Sequence, residues 1–102
     1  MAADQKAESA PTAPTVIVVG SINVDITMTL PELPHPGETV TGGTTRQFLG
    51  GKGANQAAAA ARLGARTFLV ARIGSDEHGE MASCQLEEAG IETRFVGRDA
   101  DV

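Results

Sequence analysis

Residues 50–74 read GGKGANQAAAAARLGARTFLVARIG, and the order of residue types in this stretch decides the fold. A glycine loop carrying one lysine runs into Ala54–Leu63, a stretch of high helix propensity. Gly64 follows where a left-handed C-cap belongs. The segment ARTFLVARIG then has the apolar, β-branched character of a buried strand. Loop, helix, glycine and strand in this order are half of a βαβ unit, so the other strand is expected upstream.

Upstream, TVIVVG at 15–20 is a β-branched run closed by glycine, the pattern of a central parallel strand buried on both faces. Downstream, Ser75 and Asp76 form a helix start, with Glu77 and Glu80 adding negative charge to the first turn. Ala82, Leu86 and Ala89 supply an apolar stripe, Gly90 ends the helix, and IETRFV at 91–96 begins a third strand. The fold class expected is α/β with a mostly parallel sheet.

Between the first strand and the glycine loop the pattern changes. Ile22, Val24, Ile26, Met28 and Leu30 alternate with Asn23, Asp25, Thr27 and Thr29, which defines a two-faced strand. PELPHPGE at 31–38 breaks and reverses the chain, and a second extended stretch starts at Glu38, with a bend at Gly42 and Gly43. A small antiparallel flap over about residues 24–50 is therefore expected. Residues 1–15, with neither a signal-peptide core nor transit-peptide character, read as a disordered tail. Residues 16–102 then form the domain portion.

Composition narrows the function. Eight Lys and Arg against thirteen Asp and Glu give a net charge of −5, and the three Phe are scattered, which argues against a nucleic-acid partner. The single cysteine, Cys84, forms no internal disulfide and sits in no Cys/His cluster with zinc spacing, in keeping with a reducing cytoplasm. No apolar run has membrane-spanning length, so no membrane partner is expected. His35 and His78 have no partner at suggestive spacing.

The loop itself fits neither common phosphate pattern. A Walker loop requires glycine where Arg46 stands and Ser or Thr where Gly53 stands, and a dinucleotide fingerprint would end in a small residue where Gln56 stands. Two readings remain. The glycines can simply turn the chain, with Lys52 in water, or they can bring backbone N–H groups to a ligand at the helix start. Asn55, three residues after Lys52 on the first turn, favours the second. So do Asn23 and Asp25, two apart on one strand face and just beyond the carboxyl end of a buried strand. A carboxylate, two amides and an ammonium suit a polyhydroxylated ligand, whose hydroxyls both donate and accept.

VVGSINVD at 18–25, PHPGETVTG at 34–42, GGKGANQAAAAARLG at 50–64 and RIGSDEHG at 72–79 resemble the amino-terminal third of the ribokinases. These lie within the phosphofructokinase-B (PfkB) type carbohydrate kinase family. The resemblance covers Val16 to Val102, and Asn-Val-Asp with GGKGANQA looks like the ribose-specific branch. It implies a ribokinase-like doubly wound sheet with a β lid. It also implies substrate-binding roles for Asn23, Asp25, Gly51, Lys52 and Asn55, with D-ribose as sugar. The reaction implied is transfer of the γ-phosphoryl of MgATP to the 5-hydroxyl, with a monovalent cation (potassium) as cofactor and a homodimer formed through the lids. The segment of D-T-x-G-A-G-D type, with its anion hole and base Asp, is expected beyond Val102. The resemblance therefore implies no catalytic residue in this chain and no kinase activity by it alone. The alternative is a non-catalytic sugar-binding or subunit-association module.

Overall fold

The computed structural model describes residues 12–100, and most of the expected amino-terminal tail lies outside them. The elements in chain order are β1 (Thr15–Val19), β2 (Asn23–Thr29), β3 (Thr44–Gly50), α1 (Lys52–Arg62), β4 (Arg66–Gly74), α2 (Glu77–Glu88), β5 (Ile91–Glu92) and β6 (Val96–Asp99). The class is α/β, as the alternation of elements requires.

β4 is the centre of the main sheet. It pairs in parallel with β1 over Thr15↔Arg66 to Val19↔Val70, and on its other side with β5 and then β6. The stretch 91–96 is thus two short strands. Val96 donates its N–H to Thr93 O at 3.0 Å in the turn between them. In that turn Arg94 stacks at about 6 Å over the rings of Phe68 and Phe95.

The helices pack on one face of this sheet. Ala54, Ala57 and Ala61 of α1 and Leu86 of α2 meet Val18, Leu69 and Ile91 in the core. Small side chains on α1 let the helix lie close to the strands. Gly53 and Gly20 bring the start of α1 against the end of β1. A Cβ on Gly53 would lie 2.6 Å from the Gly20 carbonyl carbon and 2.7 Å from Ser21 N. Gly79 serves α2 in the same way, since a Cβ there would overlap the Gly74 carbonyl.

β1 departs from the sequence expectation. Val18 is buried, but Ile17 and Val19 are 61% and 78% exposed. The run has the character of a doubly covered strand, and among the described residues it is covered on one face.

β2 and β3 form a separate antiparallel pair, from Asn23↔Gly50 to Thr29↔Thr44. The second strand begins at Thr44, not Glu38. The proline turn extends through His35 and Glu38, where Glu38 N donates to His35 O at 2.9 Å, and positive φ at Gly37 and Gly42 keeps the chain off an extended path. Gln47 of this flap approaches His78 of α2 at 3.5 Å.

Candidate functional site

The two helix starts differ in a way that marks one of them as a candidate site. The start of α2 follows the capping and dipole rules: Asp76 is its N-cap, accepting from Gly79 N at 2.9 Å, and Glu77 and Glu80 lie in the first turn. α1 breaks them. Its N-cap is Gly51 at φ 100°, no side chain caps it, and its first turn holds no acid but does hold Lys52, the wrong charge for the positive end of a helix dipole. It begins two residues before the start expected at Ala54, because nothing in local propensity marks a lysine and two glycines as a helix entry.

The orphan donors of α1 are only partly satisfied. Ala54 N donates to Ser21 O at 3.0 Å, and Asn55 N to Gly51 O at 3.0 Å. The N–H groups of Lys52 and Gly53 have no backbone acceptor among the described residues. Local rules fail where a site needs them to fail, and an uncapped helix start with free donors is such a place.

The flap brings its polar residues to the same corner. Asn23 lies opposite Gly50 in the β2–β3 ladder, and the side chains of Asn23, Asp25 and any residue at 50 share one face. The Asp25 carboxylate occupies the space beside Gly50, so that a Cβ there would run into it. Gly51 is pressed against the turn after β1: a Cβ would lie 2.9 Å from Asn23 N and 2.7 Å from Ser21 O. With its positive φ as well, glycine is the residue this position takes.

Asn23, Asp25, Lys52 and Asn55 are all exposed. None of their side chains enters a hydrogen bond or ion pair among the described residues. One carboxylate, two amides, one ammonium and two backbone donors thus lie on the flap strand and helix start that meet beyond the end of β1, with the carboxylate on the flap and most donors on the helix.

Three contacts in this corner had no signature in the sequence: Asp25 with Gly50, Gly20 with Gly53, and Ala54 with Ser21 O. Only the glycines at 20, 50 and 53 hinted at close approach. A second concavity, of about 390 Å³, lies behind the flap, lined by Ile22, Val24, Gly74, His78, Arg72 and Asp99. Val24 alternates with Asn23 and Asp25 along β2, so the polar corner faces the other way. Within this concavity Arg72 and Asp99 form an ion pair. The guanidinium bond holds the Asp99 carboxyl below its usual range, and Asp99 in turn raises Arg72.

The described residues contain no group of three His, Cys, Asp or Glu side chains that could hold a metal ion. None of the described helices is long and apolar enough to cross a membrane.

Comparison with known proteins bears on the family and the fold. A ribokinase from Haemophilus influenzae is 45% identical over 82 residues, covering 80% of this chain and 27% of that protein. The solved structure of Arabidopsis thaliana ribokinase complexed with ribose and ATP superposes with a TM-score of 0.77 at 39% identity, over 88% of this chain and 30% of that one. Ribokinase from Cryptococcus neoformans in complex with ADP superposes with a TM-score of 0.74 at 37% identity, over 87% and 28%. The chain spans less than a third of the length of these relatives. Residues 13–102 match the family described as pfkB family carbohydrate kinase. The chain belongs to the pfkB family of carbohydrate kinases.

Proposed function

We propose that this chain is the sugar-binding portion of a ribokinase, in which a phosphoryl group passes from ATP to the 5-hydroxyl of D-ribose. The observation that carries the reading is the uncapped start of α1, with Lys52 and free N–H groups, set beside the unpaired Asp25 carboxylate. A polyol satisfies both at once. Its oxygens accept from the helix donors and from Lys52, and its hydroxyls donate to Asp25.

In this reading Asn23 and Asp25 bind ring hydroxyls from the flap, Gly51 and Lys52 hold the ring from the loop, and Asn55 contacts it from the helix. The flap over about residues 24–50 acts as a lid that excludes water when phosphoryl transfer takes place. Phosphoryl transfer requires nucleotide, metal and acceptor held together, and the groups named here hold only the acceptor. In this reading MgATP, a potassium ion and the base that takes the 5-hydroxyl proton are held by kinase residues other than those named here. The proposed setting is the cytoplasm.

Ile26 and Met28, 60% and 54% exposed on the outer face of the flap, favour a second element of the reading. Two lids pair through these side chains in a homodimer. The same feature is what a purely subunit-association module would show, and kinetics separate the two.

The test is a chimera in which residues 13–102 replace the matching segment of the Haemophilus influenzae relative. It is expected to phosphorylate ribose, and Asp25→Ala should lower kcat/KM for ribose by roughly 10- to 100-fold, the loss expected for a hydrogen bond to a charged group. Unchanged kinetics in Asp25→Ala would overturn the site assignment. The 102-residue chain alone is expected to release no ADP on adding ribose and ATP, and release would overturn that part of the proposal.

A further inference from the structure

One aromatic ring stands on the polar face of the flap. In the β2–β3 ladder the pairs Asn23↔Gly50, Asp25↔Phe48, Thr27↔Arg46 and Thr29↔Thr44 share a face, and Phe48 is the sole hydrophobic side chain on it. The alternate pairs carry the apolar residues: Val24 lies opposite Leu49, which packs against the core. Strand alternation therefore commits Leu49 to the core and Phe48 to the face that holds Asn23 and Asp25. The Phe48 side chain is 46% exposed. Phe68 and Phe95 pair at 5.7 Å between centroids and lie under the guanidinium groups of Arg66 and Arg94, whereas Phe48 has no aromatic or cationic partner among the described residues. Ile26 and Met28 lie on the other face of the flap, so the lid pairing proposed above leaves the Phe48 ring open.

An open ring beside an unpaired carboxylate and amide follows the division of labour in small-molecule sites, where aromatic surface supplies contact and a few polar groups fix orientation. The Asp25 carboxylate lies beside Gly50, toward the start of α1, and glycine at 50 puts no side chain between Phe48 and that start. A cyclic polyol gripped by Asp25, Lys52 and Asn55 thus shares its corner with the Phe48 ring. D-Ribofuranose has a face suited to it. Its 2- and 3-hydroxyls lie on one side of the sugar ring and leave the C–H bonds of C2 and C3 on the other. That C–H face can rest on the negative π face of an aromatic ring while the hydroxyls turn to the carboxylate and the helix donors. In D-arabinose the 2-hydroxyl lies on the opposite side, where it would meet Phe48 without a hydrogen-bond partner.

We infer that Phe48 is a specificity-determining residue of the sugar corner. Its ring takes the C2–C3 hydrogen face of a cis-2,3-diol furanose and disfavours epimers that place a hydroxyl there. The inference rests on the sugar-binding reading above and adds to it a residue and a stereochemical choice.

The test is the chimera described above, assayed with D-ribose and D-arabinose. Phe48→Ala is expected to lower kcat/KM for ribose by about 10-fold and to leave that for arabinose nearly unchanged, so the ratio between the sugars falls about 10-fold. Phe48→Tyr, which keeps the ring, should retain the ratio. Phe48→Leu, which keeps apolar bulk without a flat face, should lose it. The H2 and H3 resonances of bound ribose should move upfield under the ring current, and this shift should vanish in Phe48→Leu. A ratio unchanged in Phe48→Ala, equal losses for both sugars, or a ratio retained in Phe48→Leu would each overturn the inference while leaving the Asp25 dependence of ribose turnover intact. Failure of the sugar-binding reading is seen in a different variant, as ribose kinetics indifferent to Asp25→Ala. An inactive chimera together with ribose resonances unmoved by the chain would overturn both.

Discussion

Replacing Gly53 with alanine sets two physical rules against each other at the heart of the site. Helix propensity alone makes the change favourable by up to about 1 kcal/mol, and by less in a first turn than in a helix interior. The structure predicts the opposite sign. The new Cβ would lie 2.6 Å from Gly20 C, 2.7 Å from Ser21 N and 2.8 Å from Gly20 Cα, all backbone atoms that cannot rotate aside. Overpacking against a well-packed neighbour costs about 1–3 kcal/mol, and rigid backbone on the far side places this case at the upper end. Subtracting the propensity gain leaves a net destabilisation of about 2 kcal/mol, or roughly 30-fold in the equilibrium that keeps α1 seated. Hydrogen exchange reads it locally: the Ala54 N–H, bonded to Ser21 O at 3.0 Å, should lose roughly 30-fold of its protection. Gly64→Ala is the matched control, where φ is +99° but nothing lies within 4 Å of the new Cβ, so its effect is confined to left-handed strain of about 1 kcal/mol at the far end of α1. Unchanged or increased protection at Ala54 in the Gly53 variant would refute the close-contact account of how α1 is positioned.

Other consequences follow from the same contacts. Asp76→Ala removes the N-cap bond to Gly79 N and should destabilise α2 by about 1 kcal/mol, visible as faster exchange of the Gly79 N–H, while Asp76→Asn should restore most of it. The Arg72–Asp99 pair ties β6 to β4, and the Asp99 pKa is lowered in the fold. Its contribution is therefore present above the ordinary carboxylate pKa and is lost as pH falls through the lower folded value. Exchange protection in β6 should fade on acidification through that window, and not in Asp99→Asn. With Ile17, Val19 and Val70 exposed on one sheet face, the isolated chain should melt with weak cooperativity or self-associate, so a sharp two-state transition of a monomer by calorimetry would count against the reading of an incomplete domain.

Much of the fold was legible because the local signals agree with one another. The alanine run and Gly64 mark α1, Asp76 with two glutamates marks α2, and strict alternation from Ile22 to Leu30 marks the flap strand. The failures have physical causes. TVIVVG has the composition of a doubly covered strand, and composition carries no record of whether the second cover is present. α1 starts two residues earlier than its local signals indicate, because Gly51 and Lys52 violate the capping and dipole rules by which helix entries are read. IETRFV divides in two because Arg94 and Phe95 turn out to cover Phe68, contacts across twenty-six and twenty-seven residues that no local pattern encodes. In the site, the period of two placed Asn23 and Asp25 on one face. The closeness of Asp25 to Gly50 and of Gly53 to Gly20 comes from pairing register and helix docking, which only the folded chain reveals.

The central claim is that the flap and the start of α1 form one sugar-binding corner. The most direct test is a D-ribose titration of the isotope-labelled chain followed through backbone amide resonances. The account predicts saturable shifts at Asn23, Asp25, Gly51, Lys52 and Asn55, abolished by Asp25→Ala and not reproduced by inorganic phosphate. Shifts confined to the concavity behind the flap, at Arg72 and His78, or a response to phosphate in place of ribose, would contradict it.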